Sequence, residues 1–465
     1  MAFADHLDET VERIIDSAIE FYFDVYEWYP NLQGNYQRRH GLGDPEITPP
    51  GKPSRTSGGQ VLNRGLPGYV EDFEFGSGHD AGTLMYAHFE NTIREMFQPW
   101  KKIPTPSDFD GYLDVLRHGA WTLSLSSTGD KVSKVGNAKL DPVKYLQEKI
   151  CGDDMGGNMI YRFAQNFCVP LPTVIQGQYT LALLAGVTLC GEREIWSKAQ
   201  QDIQSIADKM YEAMQDRGKA VSGDLSTVTA LFSLAAVFPT PASPVLAGVA
   251  SALPALEKLM NAGSTPSKQE VEYGAGTPDK VIAKGVEALK TLAQTIRNCE
   301  NDLKASIKSA METVTSEPDS FNMPSPTLLK ETKLSEMKVN LDSLRFIATS
   351  TLPLIEKELN EAADLIAAGS RCTGPWYRTT EINASDSPEG PMEAWLALVR
   401  LAEELTLDLA WEVRESSAHL EIATDRIGQT EAETEAALRR HATKLSEVER
   451  NNPIDRADHW LDHER

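Results

Sequence analysis

Two stretches of the sequence, GSGHDAG and DHWLDHER, place histidine beside aspartate, and these are the first residues whose types and spacing could do chemistry. His79 and Asp80 lie in the glycine-rich stretch GSGHDAG, where an imidazole could exchange protons near neutral pH. The P-loop, GxSxG, HExxH and GxGxxG motifs do not occur in the chain. Because no motif supplies a nucleophile or a phosphate cradle, the sequence predicts no catalytic residue and no enzyme activity.

The second place is the C-terminal stretch DHWLDHER, in which His459 and His463 are four residues apart beside Asp458 and Asp462. On a helix this spacing puts both imidazoles on one face, where they could bind a divalent metal ion. An acidic terminal segment also reaches this spacing by chance, so we predict neither a metal site nor a bound cofactor.

The cysteines are five in number, far apart in the sequence, and show no CxxC spacing. This pattern argues against a zinc site and against a disulfide framework. We therefore expect reduced and mostly buried thiols. The residues are Cys151, Cys168, Cys190, Cys299 and Cys372.

The overall charge excludes some classes of partner. In 465 residues, 68 Asp and Glu against 45 Lys and Arg give a formal net charge of -23. Nucleic acids are bound largely through Lys and Arg, so we predict no nucleic-acid partner, and charge alone would not hold the chain on anionic lipid. The N-terminus, MAFADHLDETVERIIDSAIEF, lacks the pattern of a Sec-type signal peptide. No stretch of membrane-spanning length is apolar without proline.

The elements that must position any site are helices. Apolar residues recur at steps of three and four over 4–29, Pro172–Asp216, Ile282–Val314, Leu334–Ile366 and Trp395–Leu445. Each run therefore carries an apolar stripe, and the spacing is close to a heptad repeat. Such helices bury their stripes most readily against one another. The predicted fold is all-α, an elongated bundle of antiparallel, coiled-coil-like helices.

Gly- and Pro-rich stretches divide the chain into five regions. We expect an N-terminal helix at 1–29, a loop-rich segment at 30–80 and a helical region at 81–216. An apolar hairpin occupies 217–277, and a long-helix region occupies 278–465.

The apolar hairpin contains the least polar stretch of the chain. Between Leu225 and Leu256 there is no charged residue, and prolines in FPTPASPV mark a turn. The core of this apolar island is 225–259, which we expect to form a helical hairpin at one end of the bundle. Such a hairpin must be covered by the bundle, a second subunit, another protein or a membrane. The residues expected to contact the membrane or partner are Leu231, Phe232, Leu234, Val237, Phe238, Val245, Leu246, Val249 and Leu253.

Residues 97–216 resemble a known helical layout. Their segments FQPWKKIPTPSDFDGYLDVLRHGAWTLS, GDDMGGNMIYRFAQNF and TVIQGQYTLALLAGVTLCGEREIW are similar to the helical hairpins of Trp-X-Gly (WXG-type) proteins of actinobacterial type VII secretion. The matching turn is Met155, Gly156 and Gly157, which lacks the family's Trp. The helix beginning PMEAWLALVRLAEEL resembles the second helix of such hairpins. The family's export signal, Tyr-x-x-x-Asp/Glu, matches Tyr377 and Glu381 in YRTTE.

A second resemblance concerns the island. Long helices flanking an apolar head are similar in layout to α-helical pore-forming toxins of the cytolysin A kind. The two resemblances imply different functions. The first implies a non-enzymatic interaction protein, secreted without a Sec signal peptide or else cytoplasmic, which binds protein partners or itself as a homo-oligomer. The alternative is a pore-forming protein that inserts the 225–259 hairpin into membrane lipid.

Overall fold

The fold is described from a computed structural model. It describes residues 3–30, 36–38, 46–47, 81–125, 136–151, 155, 158–219, 221–225, 269–274, 276–323, 340–384, 387–426 and 454. The helices are α1 (Phe3–Val25), α2 (Ala81–Phe97), α3 (Asp110–Thr122), α4 (Asp141–Ile150), α5 (Asn158–Phe163), α6 (Leu171–Gln215), α7 (Pro278–Ser316), α8 (Leu341–Phe346), α9 (Leu352–Gly369) and α10 (Met392–Arg426). The prediction of an all-α fold is confirmed.

The longest helix, α6, lies at the centre of the molecule. Its 45 residues span about 68 Å at 1.5 Å per residue. It packs against α1, α3, α7 and α10. From Val174 to Glu192 nearly every side chain is buried, whichever way it points, whereas the C-terminal half buries one face. A helix that is covered on all sides belongs to the interior of a protein and not to a two-helix coiled coil.

Helices α6 and α7 form an antiparallel pair. A Cβ atom at Gly177, near the start of α6, would overlap the carbonyl oxygen of Ser320, just beyond the end of α7. At the other end of the pair, a Cβ at Gly285 would overlap the sulfur of Met210. These glycines therefore allow a close approach near each end of the pair.

Helix α6 belongs to two groups of helices at once. On one side α3, α9 and α10 close a four-helix group with it, since α9 packs on both α3 and α10. On the other side it packs with α1 and α7, and α2 covers α1. The core is continuous between the two groups because α6 contributes side chains to both.

Helix α6 ends in a glycine cap that turns the chain back. Arg217 and Gly218 have φ angles of 54° and 77°, and the Gly218 amide donates to the Ala213 carbonyl at 2.8 Å. This is the Schellman arrangement, which satisfies carbonyls that a helix end leaves without partners. The chain then enters the short strand β4.

The strands are few and short. Trp28–Pro30 (β1), Tyr36–Arg38 (β2) and Glu46–Ile47 (β3) form a small antiparallel sheet. Strands β2 and β3 lie in the stretch predicted as loop, whereas β1 begins within the predicted helix 1–29, because α1 ends at Val25. Ser222–Leu225 (β4) and Gln269–Glu272 (β5) form a two-stranded antiparallel ribbon. Neither set changes the fold class, but the ribbon fixes where the apolar island leaves and rejoins the molecule.

The helical periodicity located the core correctly over most of its length. The predicted stripes of α6, α7 and α10 are buried wherever the structure describes them, and that of α1 is buried from Leu7 to Tyr22. Tyr29, predicted in the first stripe, lies beyond the end of α1 and is 45% exposed. The third run differs at one described position: Leu341, the first residue of α8, is 38% exposed, whereas Leu344 and the stripe of α9 are buried. A π-helical segment, Ile347–Thr351, connects α8 to α9.

Candidate functional site

Three charged side chains meet in the interior, where α6, α7 and the segment between α9 and α10 come together. Glu192 lies in the middle of α6 and Glu300 in the middle of α7, and antiparallel packing brings them to the same level. Arg378 enters from the segment after α9. Its Nη2 is 2.5 Å from Glu300 Oε2, and its Nη1 is 3.9 Å from Glu192 Oε1. All three side chains are at most 3% exposed. We call this group the carboxylate cluster.

Tryptophan side chains surround the carboxylate cluster. Trp196 lies one turn after Glu192 and donates its Nε1 hydrogen to Glu192 Oε1 at 2.7 Å. The Arg378 guanidinium carbon lies 5.2 Å from the centre of the Trp196 ring, within cation–π range. Trp376 and Trp395 pack together with ring centres 5.3 Å apart. The near-complete burial of the three side chains strengthens the electrostatic interactions between them.

The two carboxyl groups share one cation, and this sets their protonation. Burial raises the pKa of Glu192, while Arg378, the Trp196 hydrogen bond and a hydrogen bond with Glu300 lower it less. The raised pKa favours the neutral acid. One proton shared between Glu192 and Glu300 leaves a single carboxylate to balance Arg378. The cluster is then uncharged overall, which lowers the cost of burying it.

The main chain around Arg378 holds the guanidinium in place. The Arg378 amide donates to the Pro388 carbonyl at 3.1 Å, and Nη1 donates to the Trp376 carbonyl at 3.2 Å. Gly390 has a φ of 55°, and a Cβ atom there would overlap Arg378 Nη2. Both the backbone conformation and the close approach require glycine at this position.

An open cleft of about 630 Å³ reaches the cluster from the surface. It lies between α7 and the start of α10, and Glu300 is the cluster member that lines it. The walls carry both signs of charge, with Lys304 and Arg400 beside Glu389 and Glu393. The mixed charge gives the cleft no marked preference for anions or cations.

The thiols beside the cluster are not activated for nucleophilic chemistry. Burial, with a smaller contribution from the Glu192 carboxyl, raises the pKa of both Cys299 and Cys372 to about 12. Both thiols are therefore protonated at neutral pH, whereas a thiol nucleophile reacts as the thiolate.

The cluster can hold a proton and a charge pair, and it ties the segment between α9 and α10 to α6 and α7.

The sequence analysis did not identify the cluster, although two of its members gave a signal. Glu192 lies between Leu189 and Trp196 in the predicted apolar stripe of α6, and Glu300 lies between Ile296 and Leu303 in that of α7. A carboxylate within an apolar stripe must be paired or protonated when it is buried. Arg378 gave no comparable signal.

The predicted export signal lies next to Arg378. Tyr377 is 54% exposed and Glu381 is also exposed, while Arg378 between them points inward. Both exposed residues are at the surface of the segment between α9 and α10. The prediction that they are read as an export signal stays a prediction.

The predicted turn after α4 is described only in part. Met155 is buried, and Gly156 and Gly157 lie outside the described residues. The turn follows α4, which has ten residues, and precedes α5, which has six. The long antiparallel pair of this molecule is instead α6 and α7.

Apart from Leu225, the apolar island 225–259 lies outside the described residues, including all the predicted contact residues from Leu231 to Leu253; the description resumes at Gln269. Leu225 pairs with Gln269 at the end of the ribbon. The ribbon is fixed to the side of α6, since a Cβ at Gly223 would lie 3.2 Å from Lys209 Cγ and Tyr273 is buried. The island is therefore an insertion that leaves and returns at one point.

The two histidine–aspartate stretches that the sequence analysis considered, without predicting a site at either, also lie outside the described residues. They are His79 and Asp80, and Asp458, His459, Asp462 and His463. Within the described ranges no group of three His, Cys, Asp or Glu side chains could hold a metal ion.

Among the described residues, one helical stretch is long and apolar enough to cross a membrane. It runs from Ile160 to Gln215 and so includes α6, and 94% of its most apolar part is buried inside the molecule. A buried core helix of a soluble protein passes the same test, so this is weak evidence for a membrane span.

Comparison with known proteins gives no relative: no family model, curated protein sequence or solved structure matches the chain.

Proposed function

We propose that the chain is a non-enzymatic helical interaction protein whose contact element is the apolar island. The ribbon of β4 and β5 carries this proposal, because it closes the island at its base as a separate insertion. The 43 residues between Leu225 and Gln269 carry no charge before Glu257. An insertion of this composition in an acidic protein is suited to apolar contact with a partner or with a second copy of the chain.

The packing of the long helices supports this choice of contact element. Leu292 on α7 and Leu344 on α8 belong to the predicted apolar stripes, and both are fully buried within the single chain. Charged substitutions there would unfold the protein before they could affect a partner. The described stripes are thus buried within the fold, which supports the island rather than these stripes as the contact element.

The experiment replaces 226–268 with a short Gly-Ser turn between Leu225 and Gln269. These residues are paired across the ribbon, so a hairpin turn can join them without moving α6 or α7. We expect the variant to keep its urea midpoint and to lose self-association or partner binding, measured by sedimentation velocity. A variant that still associates like the wild type would refute the proposal.

A pore-forming function is the second candidate, and the antiparallel pair of α6 and α7 favours it. Helices of 45 and 39 residues lead into and out of the island, a layout similar to that of cytolysin A-like toxins. Dye release from phosphatidylcholine liposomes tests it. Release should be lost in Val249→Asp and kept in Val169→Asp, a matched change at a surface valine that is 45% exposed. No release by the wild type would exclude this candidate.

We further propose that the protein is exported without a Sec signal peptide. Tyr377 and Glu381 are both exposed, so an export machinery could contact them in the folded chain. Tyr377→Ala should retain the protein in the cells of a type VII-competent actinobacterium, and Tyr29→Ala, at another exposed tyrosine, should not. Equal amounts of both variants in the culture medium would contradict export through this signal.

A further inference from the structure

Two cysteines lie on neighbouring elements, one at the surface and one in the core. Cys151 follows directly after α4, and its thiol is exposed. Cys168 ends the π-helical segment Ala164–Cys168 and is fully buried. Helix α4 packs against this π-helical segment.

A hydrogen bond links the surroundings of the two residues. The Gln147 side chain donates from Nε2 to the Cys168 carbonyl at 3.3 Å. The Cys151 amide donates to the Gln147 carbonyl at 2.9 Å, which places Cys151 one turn further along the same chain. Gln147 therefore brings the backbone of Cys168 close to the end of α4.

The thiols also interact with each other. Burial raises the pKa of the Cys168 thiol well above its ordinary value, and the Cys151 thiol raises it further. This agrees with the placement that the Gln147 hydrogen bond gives. Burial also raises the pKa of Cys151, so both thiolates form only as the pH rises, and we expect the pair to react at alkaline rather than neutral pH.

We propose that Cys151 and Cys168 are a site of reversible disulfide formation with a small-molecule disulfide such as oxidised glutathione. The Cys151 thiolate attacks one sulfur of the reagent, forms a mixed disulfide and releases one glutathione thiolate. The Cys168 thiol then loses its proton and attacks the Cys151 sulfur. This step forms the Cys151–Cys168 bond and releases the second glutathione. The two protein thiols are oxidised and the reagent disulfide is reduced to two thiols.

The exposure of the cysteines explains why this pair would react. Cys190, Cys299 and Cys372 are buried, and among the described residues Cys151 is the exposed free thiol. An exposed thiol can meet a dissolved disulfide, and a buried neighbour can resolve the mixed disulfide. The inference does not depend on the proposed function.

The test uses the full chain with Cys190→Ala. Trypsin cleaves after Lys149, Arg162 and Arg193, so Cys151 and Cys168 fall on separate peptides, 150–162 and 163–193. The Cys190→Ala change leaves Cys168 as the single thiol of its peptide. The protein is incubated with oxidised glutathione at mildly alkaline pH, alkylated, digested without reductant and analysed by mass spectrometry.

We expect the two peptides to be joined and the intact protein to lose the mass of two hydrogen atoms. Adding Cys168→Ala should stop the reaction at a glutathione adduct on Cys151, and adding Cys151→Ser should prevent both products. Urea midpoints of the reduced variants check that each is folded. A glutathione adduct that persists on Cys151 while Cys168 is present would overturn the proposal, and so would recovery of both thiols unmodified.

Discussion

Removal of the single cation from the carboxylate cluster should destabilise the protein strongly and in a pH-dependent way. Arg378→Met keeps most of the side-chain volume but leaves Glu300 and Glu192 without the guanidinium that balances them. Both carboxyl groups are at most 3% exposed. Breaking a buried ion pair by removing one partner costs about 3–5 kcal/mol, so we expect a loss of this size at pH 7.

The loss should shrink on acidification. Once both carboxyl groups are protonated, the variant no longer buries an uncompensated charge. The stability loss that remains at low pH comes from the lost hydrogen bond between Arg378 and the Trp376 carbonyl and from some lost packing. It should amount to about 1–2 kcal/mol. Urea unfolding of wild type and variant at several pH values from 5 to 8 measures the difference directly.

Glu192→Gln distinguishes the contribution of Glu192 to the pH dependence from that of Glu300 in the same assay. Its amide oxygen can still accept from Trp196 and its amide nitrogen can donate to Glu300. The folded-state pKa of Glu192 is raised, so above the unfolded-state pKa of about 4.3 the unfolded chain releases a proton that the folded chain keeps. Wild-type stability from this group therefore falls as pH rises from there toward the folded pKa. The variant should lack this fall and be at least as stable at pH 7.

The control is Arg400→Met, which removes an exposed arginine from the neighbouring cleft. We expect it to change the free energy of unfolding by less than about 0.5 kcal/mol. If Arg378→Met costs no more than this control, or costs the same at pH 5 as at pH 8, the cluster does not depend on Arg378 for its charge balance and the reasoning is wrong.

Two further predictions concern packing around α6. Gly177→Ala should cost about 3 kcal/mol, since the new methyl group would overlap the backbone carbonyl of Ser320; a thermal shift as small as that of a surface change would contradict it. Gly111→Ala is the matched control, with nothing within 4 Å of the new methyl group, and should gain about 0.5–1 kcal/mol from helix propensity. Trp395→Phe removes the 2.9 Å hydrogen bond to the Ala185 carbonyl and should cost about 1–3 kcal/mol in urea unfolding, whereas an unchanged midpoint would show that the bond contributes little.

The length and the buried face of the long helices could be predicted because their periodicity is strong. Over Pro172–Asp216 and Ile282–Val314, apolar side chains recur at helical spacing for many turns. The strict alternation that is typical of strands does not recur in these stretches. The helices α6 and α7 begin and end within a few residues of these limits.

The central position of α6 was harder to predict, because a stripe indicates one buried face and says nothing about the other. A signal was present, since Leu171–Gly191 contains no charged residue on any face. An uncharged run of this length in an acidic chain indicates burial on all sides. The sequence analysis instead treated this run as part of an amphipathic helix with one buried face and one exposed face.

The carboxylate cluster depends on contacts that are distant in the sequence. Glu192 and Glu300 could have been singled out as charges within apolar stripes. Their meeting depends on the register of α6 against α7, and the entry of Arg378 depends on the path of a segment without regular structure. Neither follows from local patterns, because propensity and periodicity describe one element at a time.

The sharing of α6 by two groups of helices has a consequence for how the protein unfolds. If either group separated, the buried face that α6 presents to it would be exposed to water along much of the helix. Neither half can therefore come apart at low cost, and the described helices should unfold in one cooperative transition. Backbone amides of Val174–Glu192 should then exchange with solvent only through global unfolding. A fragment that keeps α6 with just one group would aggregate through the face left bare.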